Sequence, residues 1–167
     1  MSYGYKTMAS PLGTLKLVGG DEGLAAVLWQ DDDPRRVRLD AGERNDLHPV
    51  LVEAERQLNE YFERKRTTFS IGLDFHGTPF QKKVWRALLE IPFGQTRTYG
   101  DVAAAVGEPR AFRAVGAANG RNPVSIIAPC HRVVGATGRL TGFAGGLEAK
   151  AFLLRLEGVR DGELVFA

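Results

Sequence analysis

Residues 76–79, with the sequence HGTP, divide this chain of 167 residues into two halves with different hydrophobic periods. Gly and Pro in such a cluster interrupt regular structure. Before the break, apolar residues alternate or lie in short runs, which favours strands. After it they recur with the spacing of a helix. We therefore predict two domains, an α/β domain over residues 1–77 and a mainly α-helical domain over residues 78–167.

The first half predicts a small antiparallel sheet with one helix. Short apolar runs at residues 15–18 and 24–29 flank the turn sequence GGDEG, a pattern typical of a β-hairpin. DDDPRR then predicts a loop, and residues 47–63 have helical spacing. Residues 67–75 alternate, which predicts a half-buried strand. Its inner face would carry Phe69, Ile71, Leu73 and Phe75.

The second half begins with a clear helix signal. Thr78 is a candidate N-cap, Pro79 suits the first helical position, and Gln81 can complete a capping box. Pro92 and Gly94 are expected to end this helix.

Two short helices follow. Thr98 is expected to cap a helix over residues 99–106, and Pro109 to open a second one over residues 110–119. The tight turn Gly107–Glu108–Pro109 between them indicates a helix-turn-helix. Residues 124–128 are apolar and predicted to be buried. A last helix is predicted over residues 147–157, with Gly158 as its stop.

Charge is distributed unevenly between the halves. Residues 1–78 hold 10 Lys and Arg against 13 Asp and Glu, whereas residues 79–167 hold 12 against 7. Six Arg and two acids lie between Arg97 and Arg139. An Arg-rich half suggests a polyanionic partner such as nucleic acid. A solvated surface of mixed charge remains the alternative.

Several classes of protein are disfavoured. The first 13 residues lack the basic stretch and apolar run of a secretory signal, and no apolar stretch is long enough to span a bilayer. A single cysteine excludes an internal disulfide and a multi-cysteine zinc site. We expect a cytoplasmic protein without a metal, a cofactor or a membrane partner.

The motif PCHRV, at residues 129–133, carries the chemistry. Cysteine is a strong nucleophile only as the thiolate, so Cys130 needs a base, and His131 is adjacent. Neighbouring side chains do not face each other in regular structure, so contact requires an irregular loop or a water. A histidine base also needs an acceptor, for which Glu148 and Glu157 are the nearest candidates downstream. The alternative is a small buried cysteine beside a structural histidine.

Residues 80–158 closely resemble the O6-alkylguanine-DNA alkyltransferase family. The PCHRV block, the RAVG-to-NP block and the GG-to-LLxxEG block occur in the family's order and spacing. Residues 1–78 resemble the family's N-terminal domain only loosely, through SPLG and GLAAV. The resemblance implies a ribonuclease H-like first domain.

The resemblance also implies roles for four residues. Cys130 would be the alkyl acceptor, and His131 would deprotonate it through a water. Glu157 would hold His131 in position. Asn122 would tie the recognition helix to the active-site loop, although an ordinary turn-forming Asn before Pro is an equal alternative. Each molecule would react once, because nothing in the sequence suggests how the alkyl group is removed.

The implied partner is double-stranded DNA that contains O6-alkylguanine, bound by a monomer with weak sequence preference. The damaged nucleotide lies inside the stack and must be flipped out. Arg113 would fill the gap, and Tyr99 would press on the adjoining phosphate and contact the flipped base. The small residues Ala114 and Ala117 would let the recognition helix approach the minor groove, although tight helix packing explains them too.

Backbone groups would supply most of the pocket. The carbonyls of Cys130 and Val133 would accept from the guanine amino group, and the N–H of Ala144 would donate to O6. Phe143 stands where many relatives carry Tyr, which puts the preference for alkyl groups in doubt. Whether O4-alkylthymine is also a substrate stays open.

Two other functions are alternatives to alkyl transfer. A lesion-binding protein of the same fold would lack the cysteine, so Cys130 argues against that reading. A thiol hydrolase with a Cys-His-Glu triad is disfavoured by the helix-turn-helix and the Arg-rich half.

Overall fold

The computed structural model describes residues 2–164. The chain separates into two compact units, Met1–His76 and Gly77–Ala167. The division falls one residue before the end of the predicted first domain. No helix within residues 2–164 has the length and apolar character needed to cross a membrane.

The first unit contains a four-stranded sheet of order β3-β2-β1-β4. Its strands are β1 (Gly4–Met8), β2 (Leu15–Gly20), β3 (Gly23–Leu28) and β4 (Glu43–Arg44). The predicted hairpin is confirmed as the antiparallel pair of β2 and β3, and β1 pairs antiparallel with β2. The two-residue β4 runs parallel to β1. Neither β1 nor β4 was predicted, because neither has an alternating apolar pattern.

One helix, α1 (Pro49–Phe62), packs on this sheet. Its buried residues recur at helical spacing and include Leu51, Leu58 and Tyr61, as the sequence predicted. The helix starts two residues later than predicted. His48 is the N-cap, and its side chain accepts a hydrogen bond from the N–H of Val50 at 3.2 Å.

The predicted strand over residues 67–75 is wrong. Only Leu73 makes a bridge, to Leu24, and it is isolated. The side chain of Gln57 accepts from the N–H of Ser70 at 2.9 Å, so this backbone donor is bonded to a side chain of α1. The alternating apolar pattern of residues 67–75 therefore belongs to an irregular segment beside β3, and not to a strand of the sheet.

The second unit is mainly helical. Its helices are α2 (Pro79–Leu88), α3 (Tyr99–Ala105), α4 (Phe112–Gly120) and α5 (Leu147–Leu156). Both predicted N-caps are confirmed as capping boxes, Thr78 with Gln81 and Thr98 with Asp101. Helix α2 ends at Leu88, before the predicted stop at Pro92, because a series of turns replaces its last predicted turn.

Helices α3 and α4 pack against each other in the order that a helix-turn-helix requires. Helix α4 begins at Phe112, not at the predicted Arg110. The N–H of Ala111 donates to the carbonyl of Glu108 at 2.8 Å, so Pro109 lies inside a turn and does not open the helix. Gly107 has a positive φ of 80°, which permits the chain reversal after α3.

Two other predictions for this unit are confirmed. Residues 124–128 are all buried, and within them Ile126 has a φ of 74°, an unusual value for a β-branched residue. Helix α5 is followed by Gly158, which has a φ of 88°.

Candidate active site

Cys130 opens a 3-10 helix, Cys130–Arg132, directly after the buried segment 124–128. The cysteine is only 4% exposed. Asn122 closes the loop in front of it. Its side-chain amide donates to the carbonyl of Ala128 at 2.8 Å and accepts from the N–H of Val124 at 3.0 Å. The structure thus places the predicted Asn122 where it fixes the backbone that leads to Cys130.

A short parallel ladder lies on the other side of Cys130. Strand β6 (Val133–Val134) pairs with β5 (Arg97–Thr98), which immediately precedes α3. This pairing brings the first residue of α3, Tyr99, to the segment that follows Cys130. The Tyr99 hydroxyl forms a hydrogen bond with the hydroxyl of Thr141. A two-residue ladder has no periodicity, so the sequence did not reveal it.

His131 and Glu157 form a buried pair. Nε2 of His131 lies 2.8 Å from Oε2 of Glu157, and neither side chain is exposed to solvent. Because an ionised carboxylate only accepts, Nε2 carries the proton and Nδ1 carries the lone pair. Within residues 2–164, Nδ1 is buried without a hydrogen-bond partner. His131 directly follows Cys130 in the sequence, and its Nδ1 is the nitrogen that is able to accept a proton.

Arg132 completes this arrangement, although it was not among the predicted site residues. Its Nε donates to Oε1 of Glu157 at 2.7 Å, and its Nη2 donates to Oε2 at 2.9 Å. Nη1 donates to the carbonyl of Ile91 at 2.6 Å. A bidentate guanidinium fixes both the position and the charge of the carboxylate. The only signal in the sequence was its place in the PCHRV motif.

The charges of the cluster follow from burial and pairing. Burial opposes the charged form of Glu157, but His131 and Arg132 outweigh it and hold the pKa of this carboxyl well below its usual range. Complete burial lowers the pKa of His131 below its ordinary value, although Glu157 opposes the shift. At neutral pH the histidine is therefore neutral and the carboxylate is charged, as a general base and its orienting group require.

Lys150 is a second buried cation that the sequence did not single out. It lies on the buried face of α5, and its Nζ donates to the carbonyls of Val133 at 2.7 Å and Thr141 at 3.4 Å. Burial lowers the pKa of Lys150 to about 8, and the negative charge of ionised Cys130 opposes that shift. The ammonium group therefore joins β6 to residue 141 and favours the thiolate. A charged residue inside the apolar stripe of α5 was the available signal.

The remaining predicted substrate residues lie around this centre. Val133 is buried in β6, and Tyr99 is half-buried at the start of α3. Phe143 and Ala144 are half-buried in the segment that joins β6 to α5. Tyr99, Thr141, Lys150 and Val133 are linked by consecutive hydrogen bonds.

Helix α4 has two distinct faces. The three residues predicted to meet DNA, Arg113, Ala114 and Ala117, are all exposed. On the opposite face Asn119 is buried, and its Nδ2 donates to the carbonyl of Cys130 at 3.4 Å. Gly116 lies beside the ring of Tyr99, where an added Cβ would stand 3.7 Å from the ring carbons. One helix thus carries an open surface of small residues and touches the backbone of Cys130.

These features define a class: a protein in which a helix of a helix pair, exposed on one face, bonds to the backbone of a buried cysteine that is followed in sequence by a histidine paired with a carboxylate. Two family models match the chain. The model for the DNA binding domain of 6-O-methylguanine DNA methyltransferase matches residues 79–159, and the model for its ribonuclease-like domain matches residues 4–75.

Individual relatives agree with these matches. A methylated-DNA–protein-cysteine methyltransferase from Methanosarcina acetivorans is 49% identical over 154 residues, which cover 92% of this chain and 97% of the relative. The crystal structure of Mycobacterium tuberculosis O6-methylguanine methyltransferase is 46% identical, covers 93% of both chains and superposes with a TM-score of 0.83. A structure of the Mycobacterium tuberculosis protein in complex with DNA is 43% identical, covers 96% of this chain and 94% of that one, and also has a TM-score of 0.83. The chain belongs to the methylated-DNA–protein-cysteine methyltransferase family.

Proposed function

We propose that this protein repairs double-stranded DNA by moving the alkyl group of O6-alkylguanine onto Sγ of Cys130, and that each molecule does so once. The observation that carries the proposal is the buried pair of His131 and Glu157, which leaves Nδ1 of His131 as an unpartnered acceptor next to the only cysteine in the sequence.

The chemistry needs a thiolate and a place for one proton. His131 takes the proton of the Cys130 thiol through a bridging water, and the charged Glu157 steadies the imidazolium that forms. Sγ then attacks the alkyl carbon, and the bond from that carbon to O6 breaks with its electron pair on oxygen. His131 returns the proton to the guanine. The products are an unmodified guanine and an S-alkylcysteine.

Single use follows from the product. A thioether is chemically inert, and the sequence has no second thiol to accept the alkyl group from Cys130. The protein is therefore consumed in the reaction, as a monomer that needs no cofactor.

The DNA contact is assigned to the exposed face of α4. Ala114 and Ala117 let the helix lie close to the minor groove, and few side chains on this face are able to read base edges. Weak sequence preference suits a repair protein that must act anywhere. Arg113 enters the stack when the damaged nucleotide is flipped out, and Tyr99 presses on the adjoining phosphate.

The flipped base is placed next to Cys130. Val133 and Cys130 offer backbone carbonyls to the guanine amino group, the N–H of Ala144 donates to O6, and Tyr99 and Phe143 supply aromatic walls. Asn122 holds the loop in this form. Phe143 lacks the hydroxyl of a tyrosine, so this wall is apolar. O4-alkylthymine is a candidate second substrate.

Intact-mass analysis after incubation with an O6-methylguanine duplex tests the proposal. We expect the protein to gain one methyl group in place of one hydrogen, and peptide mapping to place it on Cys130. The Cys130→Ala variant should bind the duplex and gain no mass. Binding without a mass gain in the wild type would mean a lesion-binding protein, and demethylation that continues without a mass gain would mean a thiol hydrolase.

A further inference from the structure

Tyr99, the first residue of α3, is held at three points. The capping box of Thr98 with Asp101 fixes its backbone. Its ring lies against α4, where a Cβ added to Gly116 would stand 3.7 Å from two ring carbons. Its hydroxyl group forms a hydrogen bond with the hydroxyl group of Thr141, forty-two residues further along the chain. A side chain outside both helices therefore sets the orientation of the phenol group.

Thr141 is itself tied to the reactive centre, through its backbone. It lies in the segment that joins β6 to α5, and its carbonyl accepts from Nζ of Lys150 at 3.4 Å. The same ammonium group donates to the carbonyl of Val133 at 2.7 Å. These bonds do not involve the side chain of Thr141. A substitution at residue 141 is therefore able to remove the contact with Tyr99 and keep the bond from Lys150.

The direction of the hydrogen bond between the two hydroxyl groups follows from the role proposed for Tyr99. Each hydroxyl group has one hydrogen to donate and is also able to accept. A phosphate oxygen only accepts, so the contact of Tyr99 with phosphate uses the phenol hydrogen. Thr141 is then the donor of the pair, and the phenol oxygen is the acceptor. A hydroxyl group that accepts one hydrogen bond is polarised and donates a stronger one.

We infer that Thr141 is a positioning residue for the DNA contact: its hydroxyl group donates to the phenol oxygen of Tyr99 and directs the phenol hydrogen to the phosphate beside the flipped nucleotide. The inference deepens the proposed function and rests on it. It gives Thr141 a role on the DNA side of the site, separate from the activation of sulfur by His131. It also requires that the side chain of Thr141 acts through Tyr99.

The test compares three substrates that carry O6-methylguanine: a duplex, the same strand alone, and the free base. Second-order rate constants of alkyl transfer are measured for the wild type and two variants. Thr141→Val has nearly the shape of threonine without the hydroxyl group, and Thr141→Ser keeps the hydroxyl group. Thermal unfolding checks that each variant is folded.

The expected pattern follows the phosphates. Thr141→Val should slow transfer from the duplex and from the single strand about tenfold, the usual limit for one neutral hydrogen bond. It should slow reaction with the free base far less, because the free base has no phosphate. Thr141→Ser should react with all three substrates at rates close to those of the wild type. Loss of a residue that fills the stack, as proposed for Arg113, would instead slow the duplex alone.

A double-mutant cycle tests whether Thr141 acts through Tyr99. Tyr99→Phe keeps the ring beside Gly116 and removes the phenol oxygen. In this background Thr141→Val should cause no further loss on either DNA substrate, because the hydrogen bond is already absent. A side chain that only stabilised its own segment would have the same effect in both backgrounds.

The outcomes separate the inference from the proposed function. A duplex rate that Thr141→Val leaves unchanged, an equal loss on duplex and free base, or an equal loss in the Tyr99→Phe background overturns the role of Thr141 while alkyl transfer stands. A wild type that transfers no alkyl group from any of the three substrates overturns the proposed function itself. A loss that is confined to the two DNA substrates, and absent both in Thr141→Ser and in the Tyr99→Phe background, establishes the contact.

Discussion

The two units of this protein treat their charged side chains in opposite ways. In the first unit, ion pairs such as Arg56 with Glu53 and Arg44 with Asp46 lie on the surface, and Gln57 is the one buried polar side chain among the residues described. Among the described residues of the second unit, seven polar or charged side chains are buried, all from residue 119 to residue 157. They are Asn119, Asn122, Ser125, His131, Arg132, Lys150 and Glu157.

This difference distinguishes exposed charges, which keep a protein soluble, from buried charges, which need another explanation. An exposed ion pair contributes little to folding, because water screens it and the side chains lose freedom. A buried charge is costly unless it is paired, so its presence needs a reason beyond stability. Here most of the buried groups bond to one another or to the backbone around Cys130: Asn119 and Asn122 bond to backbone carbonyls, and His131 and Arg132 bond to Glu157.

The largest expected effect is on the rate of alkyl transfer. His131→Gln removes the basic nitrogen, and Glu157→Gln removes the charge that orients it. Each variant should slow transfer from an O6-methylguanine duplex by about 10²–10⁴-fold, the usual contribution of a general base. Rapid-quench kinetics at saturating DNA measure this effect, and affinity for the lesion should change much less. A His131→Gln protein that reacts at the wild-type rate would disprove the assignment of the base.

The second prediction concerns stability. Arg132→Met removes the bidentate guanidinium partner of the buried carboxylate of Glu157. Loss of one partner from a buried pair costs about 3–5 kcal/mol. Denaturant unfolding followed by Trp85, which is buried in the second unit, should report the loss. If Arg132→Met lowered the free energy of unfolding no more than a surface variant does, the buried cluster would stabilise the protein no more than the exposed ion pairs do.

Acidification should destabilise the second unit in two stages. The pKa of His131 is lowered by burial, so below pH ~6.5 the unfolded chain binds a proton that the folded protein excludes, and stability falls. The pKa of Glu157 is also lowered in the folded protein, which adds a further loss as pH falls below ~4.3. Unfolding free energies measured from pH 8 to about pH 2 test the order. Stability that rises as the pH falls from 7 to 5 would reverse the assigned charge states.

On the alkaline side stability also rises with pH. Since the pKa of Lys150 is lowered to about 8, the folded protein loses this proton before the unfolded chain does. The contribution of Lys150 to stability should therefore increase between pH 8 and pH ~10.4. A Lys150→Met variant should lack that increase.

Arg113 is expected to have a smaller effect, confined to paired DNA. Flipping costs a few kcal/mol, and a side chain that fills the gap offsets part of it, so Arg113→Ala should slow duplex repair about tenfold at saturating DNA. Reaction with a free O6-alkylguanine base, which needs no extrusion, should be unchanged. Equal losses on duplex, single strand and free base would point to the pocket or to folding instead.

The smallest effect is expected at the surface of the first unit. Arg56 pairs with Glu53 and Glu60 on one exposed side of α1, and these pairs and Gln57 lower the pKa of Glu53 to about 2. Arg56→Met should nevertheless leave the melting temperature close to that of the wild type, because solvent screens exposed pairs. Arg56→Met is the matched control for Arg132→Met, because each variant removes one guanidinium group that donates at least two hydrogen bonds.

The sequence predicted the parts of this protein that depend on local signals. N-caps at Thr78 and Thr98 placed two helices, and the period of apolar residues placed α1. The resemblance around Cys130 implied that Glu157 holds His131, and the structure shows a hydrogen bond between these two side chains. These signals are local because a cap or a helical stripe is complete within a few residues.

The errors and omissions have a long-range cause. Residues 67–75 alternate like a strand, yet the side chain of Gln57 takes the backbone N–H of Ser70. Strand β6 depends on a partner that lies more than thirty residues earlier in the chain. Arg132 and Lys150 were passed over because a charged residue in an apolar pattern is ordinarily exposed. Only the fold shows that both are buried and bonded.

The most direct test of the whole account is a count of alkyl groups transferred per protein molecule with a tenfold molar excess of O6-methylguanine duplex. The account predicts that transfer stops at one group per molecule in the wild type, that this group is on Cys130, and that Cys130→Ala transfers none while it still binds. Transfer that continues beyond one group per molecule, or persists in Cys130→Ala, would contradict it.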